Sequence, residues 1–415
     1  MAKLLHIAAR NLMRYQRRTL LTALLITLGV MAVLIFIALS GSFKQLMVGQ
    51  ITDSMLGHLQ VHKKGYVASI DNLPLNIMMP TKAVSRVEEQ LGAIEAVEAW
   101  SPRIKFGAMF SNYSETTNIR LNAVYPEQEQ ATAPQLAGRI LEGDVANGLL
   151  MPGTILVPEL IARGMKVQVG DTVVLVATNQ DGAVNGQGFI VKGILEGISG
   201  PGGRDGYIHI DDARTLLRLE DASISEFAVR LKQPSALPAV MAELEATLGQ
   251  LQNQQGKPVL EIHDWRKLSP FANIADMIDL MTLFIQIMLV AIVLISIMNV
   301  MIMAVYERLR EIGTLAAIGT QPKRILGMFV AEGLLLGVVG SVLGTMLSLL
   351  LIGVLQFYPL HFAFGRQEDL LLSPAIGAGD VLFISLLVIL IAVLASLQPA
   401  WKASRMDPIT ALRSV

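Results

Sequence analysis

The residues of this chain best placed to do chemistry lie in one stretch, Tyr306 to Ile325. There Glu307, Arg308, Arg310 and Glu311 cluster beside the apolar Ile312, Leu315, Ala316 and Ile318. Charges of both signs next to an apolar patch, with Gly313 and Gly319 allowing sharp changes of direction, suit a short cytoplasmic helix that offers a knob and ion pairs to a soluble partner. Hydrolytic and metal chemistry find no comparable support. The phosphate-binding pattern G-x-x-x-x-G-K-[ST] does not occur, and the Gly256-Lys257 pair runs into Pro258. Any ATP work would therefore have to come from another chain, and no cofactor is expected on this one. His58 and His62 point the same way on an alternating strand but lack a third ligand at metal-binding spacing, so both are read as structural. The other histidines are scattered and no Ser/His/Asp arrangement stands out, so the chain is read as non-catalytic. It has no cysteine, which excludes disulfides, thiolate metal sites and a cysteine nucleophile. A net charge of -1 gives no field that would draw nucleic acid.

The elements that must position the 306–325 stretch are membrane helices. The chain is 53% hydrophobic and only 16% charged, unlike a cytosolic protein. Leu20 to Leu39 carries no charge, and about 20 residues at 1.5 Å rise cross a hydrocarbon core of about 30 Å. That run is too long for a cleavable signal, whose apolar region spans about 7–15 residues. Leu280 to Val305, Glu332 to Leu355 and Val381 to Leu397 are the next three spans. Basic residues gather before the first (Lys3, Arg10, Arg14, Arg17, Arg18), between the second and third (Arg308, Arg310, Lys323, Arg324) and after the fourth (Lys402, Arg405, Arg413). Between the third and fourth there is only Arg366, alongside acidic residues. The positive-inside rule then places both termini in the cytoplasm and the long 41–279 segment outside.

The expected fold is an α-helical membrane protein of four transmembrane helices, with a large α+β extracytoplasmic domain between helices 1 and 2. The division is an amphipathic N-terminal helix over 1–18, helix 1 and a stalk over 19–56, the outside domain over 57–268, and a stalk and helix 2 over 269–305. The cytoplasmic segment 306–325, helix 3 over 326–356, a short outside loop 357–380, helix 4 over 381–399 and a cytoplasmic tail 400–415 complete it. Ser269-Pro270 reads as a helix start, and from it a helical pattern runs unbroken through the second span to Arg310. The first helix likewise continues through Phe43, Leu46, Met47 and Ile51. In the outside domain, strands are expected at 57–62, 99–109, 171–177, 188–194, 206–210 and 226–231, helices at 81–91, 212–219 and 234–251, and a hairpin tip over Thr178 to Gln187. Two lobes are expected, with no boundary legible. On 1–18, Leu4, Leu5, Ala8 and Leu12 share one helical face, as in a helix lying in the membrane interface; a plain basic flank would read alike. Gly333, Gly337, Gly340 and Gly344 make a smooth stripe in the third span where another helix, in this subunit or a second one, can approach closely. Glu332 beside them suits helix packing at the interface, with a proton relay as the alternative.

The 306–325 stretch resembles the FtsX-like, mechanotransmission-type ABC permease family. The resemblance rests on Glu307-Arg308-x-Arg310-Glu311-Ile312-Gly313-x-Leu315-x-x-Ile318-Gly319, on Glu332-Gly333 with Gly340 and Gly344, and on Pro399-Ala400-x-x-Ala403-Ser404-Arg405-x-Asp407-Pro408-x-x-Ala411-Leu412-Arg413. Within the family it extends to lipoprotein-releasing, Lol-type permeases through Gly164-Met165-Lys166-Val167-x-Val169-Gly170-Asp171, Val191-x-Gly193-Ile194, Tyr207 to Ala213 and Asp264-Trp265. The resemblance implies that Glu307 to Gly319 docks on an ABC ATPase subunit, that two permease copies or paralogues pair in the bacterial inner membrane, and that the outside domain moves with ATP binding. It also implies a hook at Thr178 to Gln187, a stretch without proline, methionine or aromatic residues. The expected activity is extraction of lipoproteins or lipids from the membrane for a periplasmic carrier, with Met31, Met281 and Met288 lining a candidate cavity. The alternatives are efflux of peptides or drugs with an adaptor, and signalling to a cell-wall hydrolase.

Overall fold

The structure is a computed structural model. It describes residues 2–14, 16–143, 148–197, 201–252, 256, 258–269, 271–364 and 367–406. Pro270, Arg366 and the motif residues Asp407, Pro408, Ala411, Leu412 and Arg413 lie outside the described residues. The chain forms two compact units, Met1–Leu46 with Ile274–Val415, and Met47–Asn273.

In chain order the elements begin with α1 (Ala2–Arg14) and α2 (Gln16–Ile51), the latter closed by a π-helical turn, Thr52–Leu56. There follow β1 (Leu59–Lys63), α3 (Thr81–Ala93), β2 (Val97–Ser111), β3 (Thr116–Val124), α4 (Pro126–Thr132), β4 (Ile140–Gly143), β5 (Thr154–Pro158), α5 (Glu159–Met165), β6 (Thr172–Thr178) and β7 (Val184–Leu195). Then come β8 (Asp205–His209), α6 (Ile210–Leu217), β9 (Glu226–Leu231), α7 (Leu237–Leu248), β10 (Leu260–Asp264) and α8 (Trp265–Leu268). The chain ends with α9 (Ala272–Glu307), α10 (Leu309–Ala317), α11 (Pro322–Phe357), the hairpin β11 (Leu360–Phe364) and β12 (Gln367–Leu372), and α12 (Ala378–Ser404).

The second unit is built on one ten-stranded sheet in the order β10-β1-β9-β2-β3-β8-β5-β7-β4, with β6 joining β2 and β7. That last pairing closes β2, β3, β8, β5, β7 and β6 into a ring. The 15-residue β2 belongs to both halves: Val97 to Arg103 pairs with β9, and Met109 to Ser111 pairs with β6. The expected two lobes are therefore not separable pieces of chain but the two ends of a shared strand. Alternation along β2 seals Ile104, Phe106, Ala108 and Phe110 into the core with Leu59, Val61, Phe227 and Val229. Burying each large side chain contributes about 1.5–3 kcal/mol. The expected hairpin tip is shorter than read, because Thr178 pairs with Val184 and Gln187 with Leu175, which leaves only 179–183 as turn.

The first unit holds four helices long and apolar enough to cross a membrane. Each of α2, α9 and α11 has 36 residues, about 54 Å at 1.5 Å per residue, well beyond the hydrocarbon core. Three boundaries correct the sequence reading. The second span does not run on to Arg310, since Arg308 (φ −109, ψ 18) breaks it. The third begins at Pro322, where an extended Gln321 and proline at the first position set the helix ten residues ahead of Glu332. The fourth runs past Pro399 to Ser404.

The glycine stripe is divided between two neighbours in the same chain. A Cβ at Gly333 or Gly337 would lie 2.6 Å from Ser396 or Ala392 of α12, while one at Gly340 or Gly344 would lie 2.5 or 2.7 Å from Ile26 or Val30 of α2. Missing side chains thus let α11 sit against both helices.

Candidate functional site

The 306–325 stretch folds around the break at Arg308. Helix α10 ends at Gly319, which takes φ +87, with Gly319 N bonded to Ala316 O at 3.0 Å and Thr320 N to Leu315 O at 3.0 Å. This paired closure needs a left-handed residue, which glycine supplies without strain. Gly313, by contrast, lies inside α10 and is buried, so only one of the two expected turning points is a turn. The expected apolar patch also divides: Ile312 is sealed among the membrane helices, Leu315 and Ala316 are half-buried, and Ile318 is 75% exposed. Glu307, Arg310 and Glu311 are exposed, and Arg14 of α1 reaches Glu311 at 3.7 Å.

Arg308 is the exception among these charges, being 5% exposed. Its Nη1 donates to Glu332 Oε1 at 2.8 Å, and Asn11 Nδ2 of α1 donates to the same oxygen at 2.9 Å. The carboxylate, 2% exposed, is thus shared by α1, the pivot before α10, and α11. This arrangement satisfies the packing role read for Glu332. Asn11 was not foreseen; its only signal is a polar residue beside the apolar face of α1. Helix α1 packs on α11 with Ala8 fully buried, while the side chains of Leu4 and Leu5 lie outside those described. Beside α10 is a cavity of about 280 Å³ bounded by Ile7, Asn11, Glu311, Leu315, Arg324 and Phe329. An exposed apolar end and a charged rim thus lie beside a buried ion pair that α1 and α11 share.

Two of the three methionines read as a cavity lining lie on the outward side of the membrane helices. Met281 and Met288 are 56% and 47% exposed, on a face of α9 that also carries Leu280, Phe284 and Ile287, and Met31 is half-buried. The opposite side of α9 meets α2 through Val293 against Gly29, Thr282 bonded to Ser40 at 2.5 Å, and Asp279 bonded to Lys44 at 2.6 Å.

A second concentration of charge lies in the sheet unit. Arg103 makes two bonds to Glu129, at 2.6 and 2.9 Å, and approaches Glu226 at 3.4 Å; Lys105 reaches Glu226 at 2.8 Å. Burial favours a neutral Glu226, but Lys105, His62 and Arg103 outweigh it and hold the carboxyl well below the usual carboxylate range. Burial pushes the Tyr207 phenol up to about 12. His58 Nδ1 accepts from Leu231 N at 2.9 Å, and His62 Nε2 lies 3.5 Å from Glu226. Both imidazoles are engaged within the fold, as a structural reading requires. At the hairpin tip, Gln180 Nε2 donates to Leu75 O at 2.8 Å, which ties the implied hook back onto its own domain.

Residues 19–247 match the MacB-like periplasmic core domain, and residues 283–408 match the FtsX-like permease C-terminal. The chain is 23% identical to the lipoprotein-releasing system transmembrane protein LolC of Neisseria meningitidis serogroup B, over 94% of this chain and 92% of that one. It is 27% identical to the macrolide export ATP-binding/permease protein MacB of Bdellovibrio bacteriovorus, over 99% of this chain but only 61% of that protein's length. It is 29% identical to the pyoverdine export ATP-binding/permease protein PvdT of Pseudomonas entomophila, over 54% of this chain and 33% of the relative. With two matched regions that together cover most of the chain, it belongs to the FtsX-like ABC transporter permeases that carry a MacB-like periplasmic core domain.

Proposed function

We propose that this chain is the non-catalytic permease subunit of an inner-membrane ABC transporter, with both termini cytoplasmic, and that it extracts lipoproteins or lipids from the membrane. A separate ATPase binds ATP and Mg and docks on α10, using the Glu307 to Gly319 segment. A second permease copy or paralogue completes the complex, and the exposed apolar face of α9 around Met281 and Met288 meets it or the substrate's acyl chains. A periplasmic carrier then takes the product. The observation that carries this reading is the similarity to LolC, which spans nearly the full length of both chains.

The test is co-purification of this chain with its ATPase in lipid nanodiscs, followed by ATP-driven release of acylated lipoprotein to a soluble carrier. Release is the expected result. A stable complex that hydrolyses ATP, releases no acylated protein and is stimulated by soluble peptides or drugs would instead make the chain an efflux permease, and stimulation by a wall hydrolase a signalling subunit.

A further inference from the structure

The last turn of α2 is held by three arginines that come from separate parts of the domain. A helix end leaves carbonyls without partners and carries the negative end of the helix dipole; most helices leave these groups to water or to a glycine cap. Here the π-helical turn Thr52–Leu56 is largely buried. Arg103 of β2 donates through Nη1 to Met55 O at 2.6 Å, and Arg139 donates through Nη1 to Ser54 O at 3.4 Å. Arg230 of β9 donates to the Asp53 carboxylate at 2.7 Å, and Gln60 donates to Leu56 O at 2.9 Å.

Each arginine is in turn fixed from behind. Glu129 holds Arg103, Glu196 O receives Arg139 Nη2 at 2.9 Å, and Glu98 receives Arg230 Nε at 2.9 Å. Arg103 and Arg139 are 2% and 6% exposed. Burying guanidinium groups is unfavourable unless they are paired, and a solvated helix end would not need them.

The chain after the turn has no slack either. Gly57 (φ +71) closes the turn through its N to Thr52 O at 2.9 Å, His58 N bonds Val229 O at 2.8 Å, and β1 begins at Leu59. A Cβ at Gly57 would fall 2.8 Å from Val229 O, so the backbone passes directly against the sheet.

We infer that Arg103, Arg139 and Arg230 are positioning residues that lock the last turns of α2, from Met47 to Leu56, to the sheet as one rigid piece. The use of such a joint rests on the coupling reading above; its rigidity is a property of this chain alone.

Because the chain has no cysteine, paired cysteines can be introduced for spin labels without background. Labels at Met47→Cys on α2 and Glu127→Cys on α4, in the full chain in nanodiscs, report the pose of the helix end against the domain by pulsed electron paramagnetic resonance. The expected result is one narrow distance population in the parent, lost in Arg139→Ala, Arg230→Ala and Asp53→Asn, and regained in Arg230→Lys, with the β-sheet circular dichroism retained in all. Arg103→Ala is omitted because it strands the buried Glu129 without the cation that holds it.

A parent that is already broad, or variants that keep the parent's narrow population while only unfolding at lower temperature, overturns the inference. ATPase co-purification on the same samples separates the two ideas. A rigid joint in a chain that binds no ATPase supports the joint and removes the coupling reading, whereas a loose joint in a chain that binds it removes the joint alone.

Discussion

Arg308 and Glu332, 24 positions apart, form an ion pair of 2.8 Å at the pivot between the second membrane helix and α10, with both side chains almost sealed from solvent. The pair joins the break before α10 to α11, and Asn11 adds the N-terminal helix to the same oxygen.

Removing either charge leaves the other buried. Arg308→Ala or Glu332→Ala is expected to destabilise the membrane unit by about 3–5 kcal/mol, and Glu332→Gln by less because its amide oxygen still accepts. Thermal unfolding in nanodiscs reads the order, and equal effects of Gln and Ala would contradict it.

Docking should be lost without loss of insertion when α10 is altered. Glu311→Lys reverses a charge on the rim, and Gly313→Trp places an indole where a buried glycine packs. Both are expected to insert and fold but to lose ATPase co-purification and stimulated hydrolysis. Wild-type coupling in either variant would remove α10 as the docking element.

The divided glycine stripe predicts two separable defects. Gly337→Leu should push α11 from α12, and Gly344→Leu should push it from α2, each destabilising by about 1–3 kcal/mol. Cysteine crosslinking between α11 and each neighbour checks this: each variant should lower yield with one partner only.

The domain should weaken as pH falls below neutrality. Burial pushes the imidazole of His58 below its ordinary 6.5, outweighing the raising pull of Asp53, and burial likewise lowers His263. Above about pH 6.5 folded and unfolded states both carry neutral rings, so this stability is fully present. As pH falls below that value the unfolded chain binds protons that the folded chain refuses, and stability declines until the folded rings protonate. His58→Asn, whose Oδ1 can accept from Leu231 N, is expected to flatten part of the decline in unfolding temperature. An unchanged slope would remove His58 as its source.

Much of the architecture is local enough to read in one dimension. Each membrane helix shows as a long apolar run, Gly319 as a change of direction, and the strands around Val61, Phe106 and Val229 as alternation. Helix limits were less legible: Pro322 and Ser404 lie beyond the apolar runs because polar residues continue a helix once its backbone bonds are under way. The 306–325 stretch was legible as composition, but which of Ile312 and Ile318 would be buried was not, since that depends on how α10 turns against its neighbours.

By itself the sequence determined the four spans, the insertion of an α+β domain between the first two, and the family, because span length, side-chain period and motif spacing are properties of consecutive residues. The tertiary structure alone decided which partners those residues meet. Asn11 reaches Glu332 across 321 positions, β6 closes a ring by pairing with both β2 and β7, and three arginines from distant segments gather on one helix turn. Periodicity encodes that a side chain will be buried. It does not encode against what, because pairing between distant residues is settled only when competing packings of the whole chain are resolved.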